Sequence, residues 1–147
     1  MSPAKEPVQN PLTLMMTIKS EEDYQALNGV LLKFDALPPE ENPVRQALSS
    51  IGTVHFARFV FMENNTKLAV ITTYDGTFES YVQDFVENIG QIFDVLLSHM
   101  KDAPPLPVRE HRAEFLAYVK ANDLPDVGVF YSAYPDATVL TILDALE

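Results

Sequence analysis

The chain contains no cysteine, which excludes disulfides, thiolate nucleophiles, zinc–thiolate sites and cysteine-held iron–sulfur clusters together. Basic residues are also scarce: 10 Lys and Arg against 21 Asp and Glu leave a formal charge of −11 at neutral pH. Such a field repels a phosphate backbone, and no stripe gathers the few basic residues. Nucleic acid and anionic membranes are therefore not expected partners. No apolar run approaches the roughly 18 residues that a membrane span needs. No HExxH, P-loop, GxGxxG or GxSxG string occurs, and no two histidines stand at i, i+4, so metal and nucleotide readings lack a motif. The expectation is a metal-free cytoplasmic protein.

What is present is enough for a core. A hydrophobic fraction of 47% and aromatics at 10% in 147 residues suit one folded domain. The opening MSPAKEPVQNP has no apolar stretch of signal-peptide type. Residues 1–11 are expected to be a flexible tail, and residues 12–147 a single domain.

Residues 12–19 alternate, with Leu12, Leu14, Met16 and Ile18 on one face, and predict a strand. Ser20, with Asp23 three residues on, resembles a capping box and opens a helix carrying Tyr24, Leu27, Leu31 and Phe34 at helical spacing. Pro38 and Pro39 end it. Asn42-Pro43 then starts a short helix over 43–51 that Gly52 stops. Residues 54–62 and 68–74 are strand-like runs joined by the turn-forming ENNTK, which makes them an antiparallel hairpin. Residues 77–100 form the clearest helix, with Phe78, Tyr81, Val82, Phe85, Ile89 and Phe93 on one stripe. After a proline-rich crossover come a helix over 109–122, a fourth strand in VGVFYSAY and a last helix over 137–146.

The order is strand, helix, strand, strand, helix, strand. Each half repeats a strand, a hydroxyl at the helix start (Ser20, Thr77) and a tyrosine one turn in (Tyr24, Tyr81). This predicts an α+β, ferredoxin-like βαββαβ fold, a four-stranded antiparallel sheet with its main helices on one face. In the hairpin both faces are apolar: Val54, Phe56, Val60 and Met62 on one, Ala57, Phe59 and Phe61 on the other. A sheet with two apolar faces is a covered sheet, its second face under a partner subunit or under the extra helices.

On that topology, its long second helix and the two apolar faces, with the short strings HFAR and YDG beside them, the chain resembles the dimeric α+β barrel superfamily. That superfamily includes small monooxygenases, haem-degrading enzymes, chlorite dismutase-like proteins and dye-decolorizing peroxidases. The resemblance implies a homodimer packed sheet to sheet, with a small apolar ligand bound or, alternatively, oxygenase or haem-dependent peroxidase-like chemistry. It carries over no functional residue.

The residues themselves offer candidates. His55 suits a general base, a haem ligand or a hydrogen-bonded structural role. Arg58, on an apolar face, calls for a carboxylate, Asp75, Glu79 or one from a partner chain, or for anion binding. Strict alternation puts His55 and Arg58 on opposite faces unless a bulge intervenes. Asp75 stands in a strand-to-helix turn with Gly76, where it can cap the following helix or face a cleft. Tyr74, Tyr81, Tyr131 and Tyr134, with Tyr24, are candidates to line a ligand pocket or to fill the core. His99 suits the end of the long helix, where the dipole favours a cation, and His111 in REHR is a solvated residue.

Overall fold

Leu12, Leu14 and Met16 are buried while Thr13, Met15 and Thr17 between them are only half-buried, the alternation of a strand with one core face. This is β1 (Gln9–Thr17). In the computed structural model, which describes residues 8–147, it starts within the stretch expected as tail, and residues 1–7 of that expectation lie outside the described residues. β2 (Val54–Met62) and β3 (Lys67–Asp75) form the expected hairpin. Its turn puts Glu63, Asn64 and Asn65 in the left-handed region, with Thr66 N donating to Glu63 O. Asparagine tolerates that conformation better than most side chains.

The helix boundaries follow their caps. Ser20 Oγ accepts from Asp23 N at 3.1 Å and opens α1 (Glu21–Asp35). Asn42 Oδ1 accepts from Val44 N and Arg45 N, with Pro43 in the first position of α2 (Pro43–Ile51), which ends at Gly52 with φ 73°. Thr77 Oγ1 accepts from Ser80 N and opens α3 (Phe78–Leu97). The expected 109–122 helix is α4 (Arg112–Asn122), preceded by a 3-10 turn at Val108–Glu110, and the last helix is α5 (Val139–Leu146).

The ferredoxin-like plan does not hold. The sheet has three strands in the order β1-β3-β2, both pairs antiparallel. The expected fourth strand, residues 127–134, is irregular and exposed, with Val127 98% and Val129 85% accessible. Its β-forming composition meets no ladder. Among the described residues the free edge of β1 meets backbone at isolated points, the bridges Ile18–Met100 and Leu14–Asp123 and, just before the strand, the bond from Val8 N to Pro135 O. Beyond the second bridge, Pro125 has no N–H to donate and Gly128 turns the chain at φ 80°. Strand propensity is a preference for a pleated, half-buried place, and residues 127–134 do not occupy one.

The core lies between the sheet and α3. Leu12, Leu14, Met16, Leu68 and Val70 face Val82, Phe85, Val86, Ile89 and Phe93, all 2% exposed or less. Tyr74 stacks on Tyr81 at 3.9 Å between ring centroids, and Tyr81 Oη donates to Thr72 Oγ1 at 2.8 Å. Phe93 in turn meets Phe115 of α4 edge-on at 5.7 Å. A fully buried side chain of this size contributes about 1.5–3 kcal/mol, so this layer is the main source of stability.

Burial, reinforced by the charges of Asp123 and Glu79, pushes the Tyr74 hydroxyl up to about 12. Burial also drives Tyr81 upward, against the lowering effect of its bond to Thr72. A tyrosine in an unfolded chain titrates near about 10, so above that pH the unfolded chain releases protons that the folded one keeps. Stability is therefore whole below about pH 10 and is lost as pH rises towards the Tyr74 value of about 12. Urea unfolding across this window should show falling stability, with a shallower fall in Tyr74→Phe; equal slopes in the two proteins would contradict the assignment.

Candidate ligand-binding site

The pairing of β2 with β3 slips by one residue between Val54 and Phe56, leaving His55 without a partner across the ladder. Such a bulge re-aims a side chain. Val54, opposite Tyr74, packs against the core with Phe59 and Phe61, while Phe56, opposite Thr73, is 77% exposed on the other face. His55 joins Phe56 in the wall of a cleft.

There His55 Nε2 bonds Asp75 Oδ1 at 2.7 Å, with the two side chains only 7% and 9% exposed. The other carboxylate oxygen, Asp75 Oδ2, accepts from Val139 N at 2.8 Å, the first amide of α5. Asp75 thus ties the bulge of β2 to the C-terminal helix, and it does not cap α3 as its position suggested. A carboxylate only accepts, so Nε2 is the donor of this bond, and in a neutral ring Nδ1 is then the acceptor. Among the described residues no hydrogen bond reaches Nδ1, and His55 is one of the residues that line the cleft.

The cleft has a volume of about 910 Å³. One wall is Gln9, His55, Phe56 and Thr73 of the sheet; the other comes from residues 130–134 and from Thr141, Ile142, Ala145 and Leu146 of α5. Gln9 holds the C-terminal segment in place, its Nε2 donating to Tyr134 O and Ala137 O, each at 2.8 Å, while Val8 N donates to Pro135 O. The cleft is mostly apolar, and neither Lys, Arg, Asp nor Glu lines it.

Of the tyrosines read as pocket candidates, Tyr131 and Tyr134 line the cleft, whereas Tyr74 and Tyr81 are stacked in the core and Tyr24 packs edge-on against Phe61 at 4.8 Å. Arg58 does not join His55: it is exposed on the edge strand, and among the described residues it makes no ion pair with Asp75, Glu79 or any other carboxylate. His99 finds a specific partner, Asp23 Oδ1 at 2.7 Å, and the Ser20 hydroxyl with the His99 ring holds the Asp23 carboxyl below its usual range. Among the described residues no three His, Asp or Glu gather as metal ligands, and no helix is long and apolar enough to cross a membrane.

The chain shares its fold with MupZ from Pseudomonas fluorescens. The two superpose with a TM-score of 0.55 over 93% of this chain and 99% of that one, at 13% sequence identity. At that identity the likeness speaks for the backbone alone. Neither a protein-family model nor a curated protein sequence matches the chain.

Sequence reading missed the contribution of Gln9, Thr73 and α5. The signal for α5 was Thr141, Ile142, Ala145 and Leu146 at helical spacing, with Leu140 and Leu143 beside them, which gives an apolar helix more surface than one face can bury.

Proposed function

We propose that this protein binds a small, neutral, mainly apolar molecule carrying a hydroxyl or N–H donor. The molecule sits in the cleft between the bulge of β2 and α5. The observation that carries this reading is the His55–Asp75 pair, which presents one imidazole acceptor to an otherwise apolar wall. A few convergent polar groups in a large apolar cleft are the usual composition of a ligand site.

The same surface supports a homodimer. Phe56, Tyr131 and Leu146 of the cleft lining are more than half exposed, as are Val127 and Val129 in the segment that leads into it and Leu143 of α5, apolar surface that a second copy would cover. Dimerisation by pairing β2 with β2 is disfavoured. Arg58 is the middle residue of Val54–Met62, so a symmetric antiparallel pair would set two guanidinium groups against each other. Packing through the face beside the cleft avoids this.

The haem-dependent alternative fits the residues less well. A haem carries two carboxylates, the chain already carries −11 charges, and no cation lines the cleft to receive them. His55 also has Nε2 committed to Asp75, so only Nδ1 is open. An enzymatic reading without haem rests on one observation: a histidine positioned by a carboxylate can take a proton from a bound phenol or enol.

Calorimetric titration with 4-butylphenol is expected to show one saturable site per chain, and Ala145→Trp, which fills the cleft at an exposed helix position, to abolish it; unchanged binding by that variant would refute the site. Sedimentation equilibrium of the same samples is expected to report a dimer.

A further inference from the structure

A second cleft, of about 530 Å³, lies where α1, α2 and β2 meet. Leu31, Leu32, Phe34, Leu48, Phe59 and Phe61 supply much of its lining, and Leu32 stays 58% exposed there. Arg45 and Arg58 both line it, and Asp35 is the one carboxylate that does. The chain has four arginines. Arg109 and Arg112 both pair with Glu87, whereas neither Arg45 nor Arg58 has a carboxylate within ion-pair reach among the described residues.

In a molecule with 21 acidic side chains against 10 basic ones, this is a local reversal of sign. Two arginines without a carboxylate partner among the described residues, beside leucine and phenylalanine side chains, make a lining that is both cationic and apolar. Guanidinium groups recognise carboxylates through paired N–H donors, and the apolar wall suits a hydrocarbon chain. The first cleft, with no charged residue in its lining, has the opposite preference.

We propose that this second cleft binds a free anionic amphiphile, a carboxylate on a hydrocarbon chain. Arg45 and Arg58 hold the head, and Leu31, Leu32, Phe59 and Phe61 lie along the chain. The two clefts then select differently, one for neutral ligands and one for anionic ones.

Titration of the full chain with monomeric decanoate and with 1-decanol tests this. Decanoate is expected to bind at one site, with 1-decanol at least about tenfold weaker. Arg45→Gln and Arg58→Gln are each expected to weaken decanoate by about tenfold, the loss of one charge-assisted contact. Salt near about 1 M is expected to weaken it too. Both arginines are exposed, so the variants fold, and circular dichroism checks that they do. Equal binding of 1-decanol and decanoate, or unchanged decanoate affinity in either variant, overturns the proposal. So does association with anionic phospholipid vesicles without binding of free decanoate. Ala145→Trp, which blocks the first cleft, leaves decanoate binding intact if the two sites are separate.

Discussion

Asp75→Ala is expected to lower the unfolding free energy by roughly 3 kcal/mol, because it removes an acceptor from two donors at once. Those donors are His55 Nε2 and the Val139 amide, at 2.7 and 2.8 Å. The imidazole then loses both its fixed tautomer and its orientation, and the start of α5 is released from the sheet. Binding of 4-butylphenol should fall by at least tenfold in the same variant, since its polar contact and one cleft wall are both disturbed. Asp75→Asn should fall between, because the amide oxygen can satisfy one donor but its NH₂ cannot accept from the other. Urea unfolding beside calorimetry checks both effects. A stability loss in Asp75→Ala below about 0.5 kcal/mol, the range of an ordinary surface change, would mean that Asp75 does not join the two elements.

The second large effect belongs to the core. Phe93→Ala is expected to cost about 3–5 kcal/mol, the range for deleting a buried ring. Phe93 is 1% exposed and stands between Phe85 at 5.4 Å and Phe115 at 5.7 Å, so it connects the sheet-facing layer of α3 to α4. The loss should appear first as faster amide exchange in α4, which leans on this contact. Val95→Ala, on the 44% exposed side of the same helix, should change stability by no more than about 0.5 kcal/mol. Similar losses in the two variants, followed by thermal or urea unfolding, would contradict the placement of the core.

How far the sequence disclosed this depends on the range over which each signal acts. The caps at Ser20, Asn42 and Thr77 and the stop at Gly52 are local hydrogen-bonding chemistry, and each was readable from a few residues. The alternation in β1 and the ENNTK turn were readable for the same reason. The fate of residues 127–134 was not, because VGVFYSAY has the composition of a strand and lacks only a neighbour to pair with. Whether β1 has a free edge at that place depends on where Met100 and Asp123 arrive from elsewhere in the chain.

The candidate site divides in the same way. His55, Tyr131 and Tyr134 could be nominated because polar or aromatic groups stood out in apolar runs. The pairing of His55 with Asp75 depends on the slip in register at Val54/Phe56, which is a property of two strands fitted together. The bulge that would have joined His55 to Arg58 does occur. It brings His55 to Phe56 and Asp75 instead, and Arg58 lines a different cleft.

The central claim, that His55 offers its free nitrogen to a ligand in the cleft against α5, is tested most directly by nitrogen NMR of the imidazole during addition of 4-butylphenol. The account predicts a protonated Nε2 bonded to Asp75 throughout, with the Nδ1 resonance moving on binding and reaching its limit at one equivalent. Movement of other resonances while both His55 nitrogens stay fixed would contradict it.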